Sequence, residues 1–264
     1  MSTTFKVGLL AGIAALAYGG SALANTGTTL NQGTGDLFLN VVDTTNSTSF
    51  LFDTGISQAS FNGAVNNSPT SFFSDTNWTT FYSGHTGDSF LFSVISSTST
   101  GGRGATGTIF FTGNTLPSAV AGANLGQAIG TIDAFATQAA GVASSTNNTA
   151  LLPTGNYWGD ASREGFVSVN LFGSDTALSA TPGTALAFYS ESSGALNDAN
   201  TLATLSTFAG KWNLNLGTGQ LSYSVTAVPL PAPLVLLLSG LGLMGLVARR
   251  GKNGANAYAF GAAA

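Results

Sequence analysis

His85, in the stretch YSGHTGDSF, is the single histidine of a 264-residue chain, and Asp88 follows it closely. The pair could supply the base and orienting acid of a Ser-His-Asp relay. No GxSxG elbow accompanies it, and serine is so abundant that one nearby says little. Gly84 and Gly87 flank the ring, so the expectation is a solvated loop histidine. A second constellation is NYWGDASREG, where Asp160, Arg163 and Glu164 lie beside Tyr157 and Trp158. Paired carboxylates next to aromatics suit glycoside hydrolysis or a sugar-binding face. The plainer reading, and the one expected, is a loop in which Arg163 pairs locally and Trp158 is partly buried. Asp36, Asp43, Asp53, Asp75 and Asp88 offer hard oxygen ligands, yet no DxDxDG-type calcium loop gathers them. One histidine and no cysteine cannot supply the usual His/Cys zinc set. The expectation is therefore no metal and no cofactor.

The surroundings of these residues limit the chemistry further. Charged residues make up 7% of the chain, against roughly 25% in soluble domains. Ser, Thr, Asn and Gly replace them. Residues 25–227 hold three basic residues, Arg103, Arg163 and Lys211, against all eleven acidic ones, a net charge of −8. Phosphate backbones repel such a body, which argues against nucleic-acid partners. The absence of cysteine removes disulfides, thiolate sites and Cys nucleophiles.

The elements that must position these groups read as β. LFLNVV (37–42) and SFLFDTG (49–55) flank the turn-rich DTTNST, and FLFSVIS near 90 and GTIFFTG near 110 continue the pattern. FVSVNLFG near 168 and ALAFYS near 187 read the same way. In KWNLNLGTGQLSYSV, Trp212, Leu214 and Leu216 alternate with polar residues, then Leu221, Tyr223 and Val225 do so after a Gly-rich turn. From Asn124, a candidate cap, to Ala140, apolar residues recur at helical spacing, weakened by Gly126 and Gly130. A second short helix is expected after Asn197 or Asp198, through Leu202, Leu205 and Phe208. The predicted fold is an all-β antiparallel sandwich, jelly-roll-like, with one or two short helices, over residues 25–227.

Both ends of the chain are apolar. Lys6, the run Val7–Ala17 and the small-x-small site Ala22-Leu23-Ala24 form a cleavable secretory leader over residues 1–24, removed by signal peptidase. Leu230–Ala248 carries no charge and as a helix is about 29 Å long, which matches a bilayer core. Arg249, Arg250 and Lys252 follow it. By the positive-inside rule they hold the 251–264 tail in the cytoplasm and the body outside the inner membrane.

Val228-Pro229-Leu230-Pro231-Ala232, then Ser239-Gly240-Leu241 inside the apolar run, then Arg249-Arg250, resembles the VPLPA variant of the PEP-CTERM sorting signal. The resemblance covers residues 228–250. It implies recognition by an exosortase, a membrane transpeptidase-like enzyme, removal of the anchor, and delivery to the cell surface or extracellular matrix of an exopolysaccharide-producing bacterium. Leu230 stands where the commonest motif has Glu, which points to a variant sorting enzyme, and the tail is longer than such signals usually carry. The body is similar to a recurring type of PEP-CTERM protein, through its early GDLFLNVVDTTNSTSFLFDTG hairpin and its late FAGKWNLNLGTGQLSYS hairpin. That type brings no established activity.

The resulting expectation is a non-enzymatic exported protein of the surface or biofilm matrix. It passes through a transient inner-membrane stage and contacts exopolysaccharide through exposed residues such as Trp78, Tyr157, Trp158 and Asp160. Two alternatives come from other classes. One is a secreted carbohydrate-active enzyme using Asp160 and Glu164. The other is a structural subunit that self-assembles through open strand edges.

Overall fold

The computed structural model describes residues 35–226 except 70, 100–104, 144–147 and 174–176. The leader with Ala22 and Ala24, the motif and span at 228–250, and the tail at 251–264 lie outside these residues. Among the described residues no helix is long and apolar enough to cross a membrane.

Eight strands form the body: β1 Asp36–Asp43, β2 Thr48–Ser57, β3 Phe90–Ser99, β4 Gly107–Gly113, β5 Thr149–Leu152, β6 Leu186–Ser193, β7 Thr204–Asn215 and β8 Gln220–Val225. All pair antiparallel in one sheet of order β5-β2-β1-β3-β4-β6-β7-β8. The antiparallel all-β class therefore stands, with three short helices added and the sheet curled into a half-barrel. The helices are α1 Thr76–Tyr82, α2 Gly122–Ala140 and α3 Phe166–Phe172.

Period-two alternation sends the side chains of each strand to two different cores. On one face Leu39 and Phe50 meet Phe188, Trp212 and Tyr223 in a single aromatic cluster. The cluster runs from β1 and β2 to β7 and β8 through Phe92 and Val94 of β3 and Leu186 and Phe188 of β6. Phe61 is the hub, with ring centroids 5.3 Å from Phe188 and 5.1 Å from Tyr223. On the other face Phe38, Leu51, Ile109 and Phe111 pack under α2 and α3. Strands β1 to β3 are thus covered on both sides, while β8 alternates buried and half-exposed residues. Each large apolar side chain so enclosed contributes about 1.5–3 kcal/mol.

Helix α2 starts at Gly122 with Ala121 as its cap, three residues earlier than the expected Asn124. Of the two glycines that weakened its sequence signal, Gly126 has a packing reason and Gly130 faces open space. A Cβ on Gly126 would stand 2.6 Å from the carbonyl oxygen of Leu196, so only glycine allows the helix this approach.

Two expectations are corrected. FVSVNLFG is helical: Val167 and Leu171, one turn apart, are both buried under the same face, and Gly173, at φ +72°, ends the helix in the left-handed region. The stretch after Asp198 is not a helix. Asp198 caps a tight turn by accepting from Asn200 N, and from Thr204 onward the chain pairs with β6. Leu205 and Phe208 then point to opposite faces, one into each core.

Both outer strands are covered. Helix α1 lies against β5, with Asn77 Nδ2 donating to the Thr149 hydroxyl at 3.0 Å. Along β8, Asn67 N donates to Tyr223 O and Tyr223 N donates back to Asn67 O, while Val225 N donates to Asn66 Oδ1.

Candidate functional site

The acidic pair expected at one sugar site is divided between surface and core. Asp160 begins a π-helical turn, Ala161–Gly165, by accepting from Ser162 N at 2.7 Å. Hydrogen bonds from the Ser162 backbone and hydroxyl hold its carboxyl below the usual range, with the Arg163 charge a smaller influence. Glu164 ends up in the interior, 6% exposed. Burial pushes its carboxyl up to about 7, and the Ser179 hydroxyl, hydrogen-bonded to it, offsets only part of that. The turn thus puts one member of the pair in water and the other under the helices.

Arg163 does pair locally, but with neutral oxygens. It donates to Tyr157 O at 3.0 Å and to Gln138 Oε1 at 2.8 Å, and its guanidinium lies 5.9 Å from the Phe135 ring centre. The aromatics proposed for sugar contact need a clearer correction. Trp158 is fully buried, its ring centroid 4.8 Å from Phe135, and Trp78 is buried against Phe72 at 4.6 Å. Neither can offer a face to a ligand. Both are held inside by the two-sided cover of the sheet, which a stretch rich in Gly, Asn and Thr does not announce. Tyr157 is half-buried and Asp160 partly exposed.

A shallow groove of about 470 Å³ runs beside this turn, lined by Gln127, Thr131, Gln138, Ser162, Arg163 and Phe166. Amide and guanidinium donors beside a half-exposed phenyl ring suit neutral polyhydroxyl ligands. Neither Asp160 nor Glu164 lines it.

At one end of the sheet the fold assembles residues that the sequence leaves apart. Asp43 closes β1, Asn46 sits in the β1–β2 turn, and His85 and Asp88 occupy the turn between α1 and β3. The β1–β3 register, with Asp43 opposite Phe90, brings these two turns together. His85 Nδ1 lies 2.7 Å from Asp88 Oδ2 and 3.6 Å from Asp43 Oδ2. Asn46 Nδ2 lies 2.7 Å from each of these carboxylate oxygens and 2.9 Å from His85 Nδ1. Asp43 is fully buried, and its other oxygen accepts from the backbone of Thr45 and Asn46. The solvated loop histidine of the sequence reading is therefore a half-exposed member of a four-residue polar cluster. The short His85–Asp88 spacing was the only local signal. Asp43 and Asn46 could be found only by pairing the strands.

No protein-family model matches the chain, and no curated protein or solved structure does either.

Proposed function

We propose that the chain is an exported surface or matrix protein, sorted at its C-terminus by an exosortase-like enzyme and non-catalytic in its body. The observation that carries this reading is the order of parts in the sequence: apolar leader, acidic β body, VPLPA motif, uncharged span, arginines. The fold supports it in two ways. Strand β8 ends at Val225, immediately before the motif, so the body can be complete when the anchor is cut. The carboxylates at 160 and 164 cap a turn and lie in the core, rather than facing one another across a cleft. In this reading the curled sheet and its helical cover act as a sandwich-like body. Its groove along α2, lined by Gln127, Gln138 and Arg163, offers exopolysaccharide the contacts that the buried tryptophans do not.

The test is the intact mass and C-terminal peptide of the protein recovered from membranes and from extracellular matrix. A matrix form ending between Val228 and Ala232 is the expected result. A full-length chain confined to the inner membrane would leave a plain tethered domain and end the sorting proposal.

A further inference from the structure

We propose that Asp43, His85 and Asp88, with Asn46, form a binding site for one divalent transition-metal ion of the zinc class, tying the β1–β2 turn to the turn before β3.

The first argument is spacing. A cation bound at about 2.0–2.1 Å by tetrahedral N and O ligands needs them about 3.3 Å apart. His85 Nδ1 stands 2.7 Å and 3.6 Å from the two carboxylate oxygens, values on either side of that separation. All three ligand atoms lie within 4.8 Å of one another.

The second argument is charge. Asp43 is fully buried, and among the described residues the ion-pair partner of both it and Asp88 is His85, cationic only when protonated, with no lysine or arginine beside either. A buried carboxylate is costly without a positive partner, and here a second carboxylate converges on the same point. At that point stands the Asn46 amide nitrogen, within 2.9 Å of both carboxylate oxygens and of His85 Nδ1. Its two hydrogens and, in one tautomer, the His85 Nδ1 proton hold the two carboxylates together, positions that a cation would take over. Half a turn of the amide exchanges its nitrogen for its oxygen and supplies a fourth ligand.

The two turns are also latched independently of any ion. Thr44 N donates to Ser89 O at 2.9 Å, and Ser89 N donates to Thr45 Oγ1 at 3.2 Å. The ligands therefore sit on a frame that already exists, which lowers the cost of ordering them. The donor set departs from the usual His/Cys zinc set, and its single imidazole is what favours a transition metal. One imidazole with up to three oxygens suits zinc and its neighbours, whereas calcium takes six to eight oxygens.

The experiment is calorimetric titration of the untagged, detergent-solubilised full-length chain with zinc and, separately, calcium. Wild type is compared with His85→Ala and Asp88→Asn, and thermal unfolding is followed on the same samples. The expected result is one zinc per chain, affinity at least tenfold lower in either variant, and a zinc-dependent rise in Tm confined to wild type. Both substitutions fall on partly exposed side chains, so the metal-free variants should unfold near the wild-type Tm. If a variant fails to fold, zinc X-ray absorption of the wild type decides, one imidazole among oxygen ligands being expected. An oxygen-only shell, no zinc uptake, equal affinity in all three proteins, or tighter binding of calcium than zinc would each overturn the proposal.

Discussion

The turn at 157–164 and the cluster at 43, 46, 85 and 88 are opposite cases of the same problem. In the first, the chemistry-bearing residues are neighbours in sequence, and the fold separates them: Asp160 stays in water, Glu164 enters the core, Trp158 disappears under the helices. In the second, the residues are scattered over two turns, and an antiparallel register brings their polar atoms to one point. A dense polar motif shows what a loop is made of. Convergence is a property of strand pairing, which sets the partners of residues far apart in the chain.

The contrast can be broken most forcefully at Trp158. If it is core, Trp158→Ala should cost about 3–5 kcal/mol in denaturant unfolding. A variant of wild-type stability that had lost only glycan binding would restore the sugar platform. Glu164 gives the next largest effect, and it depends on pH. Its carboxyl titrates near 7 when folded, against an ordinary value of 4.5. The folded state therefore holds a proton that the unfolded chain has already released. The stabilisation is complete below pH 4.5 and is lost as pH rises through 7. That loss is on the order of 3 kcal/mol. Glu164→Gln should match wild type at pH 4 and exceed it at pH 8. A variant with the same pH profile as wild type would mean that this carboxyl is solvated after all. Asp160 gives the smallest effect. Asp160→Ala removes a turn cap and should cost about 1 kcal/mol in thermal unfolding. Any loss of polysaccharide hydrolysis in that variant would instead revive the enzyme reading.

Much of the sheet was legible because alternation survives in the sequence. The KWNLNLG and QLSYSV runs appear as β7 and β8, and LFLNVV and SFLFDTG as β1 and β2. Legibility failed where tertiary contacts outweighed local preference. Val167 and Val169 favour a strand, yet the turn capped by Asp160 starts a helix that buries Val167 and Leu171 together. Helix α1 went unread because its Asp75 cap precedes only seven residues, among which Trp78 and Phe81 mark the buried side. For the site, the sequence offered His85 with Asp88 and listed Asp43 only among scattered oxygen donors. It gave no means of joining them, since that step needed the β1–β3 register.

The strap from Phe61 to Asn67 has a consequence for how the molecule comes into being. It comes soon after β2, yet it is hydrogen-bonded to β8: Asn67 bridges Tyr223, Val225 N donates to Asn66, and the Tyr223 hydroxyl donates to Gly63 O. An element made early waits for the last one made. Pairings this distant in sequence close slowly, and the aromatic cluster stays open until residues 220–225 have arrived.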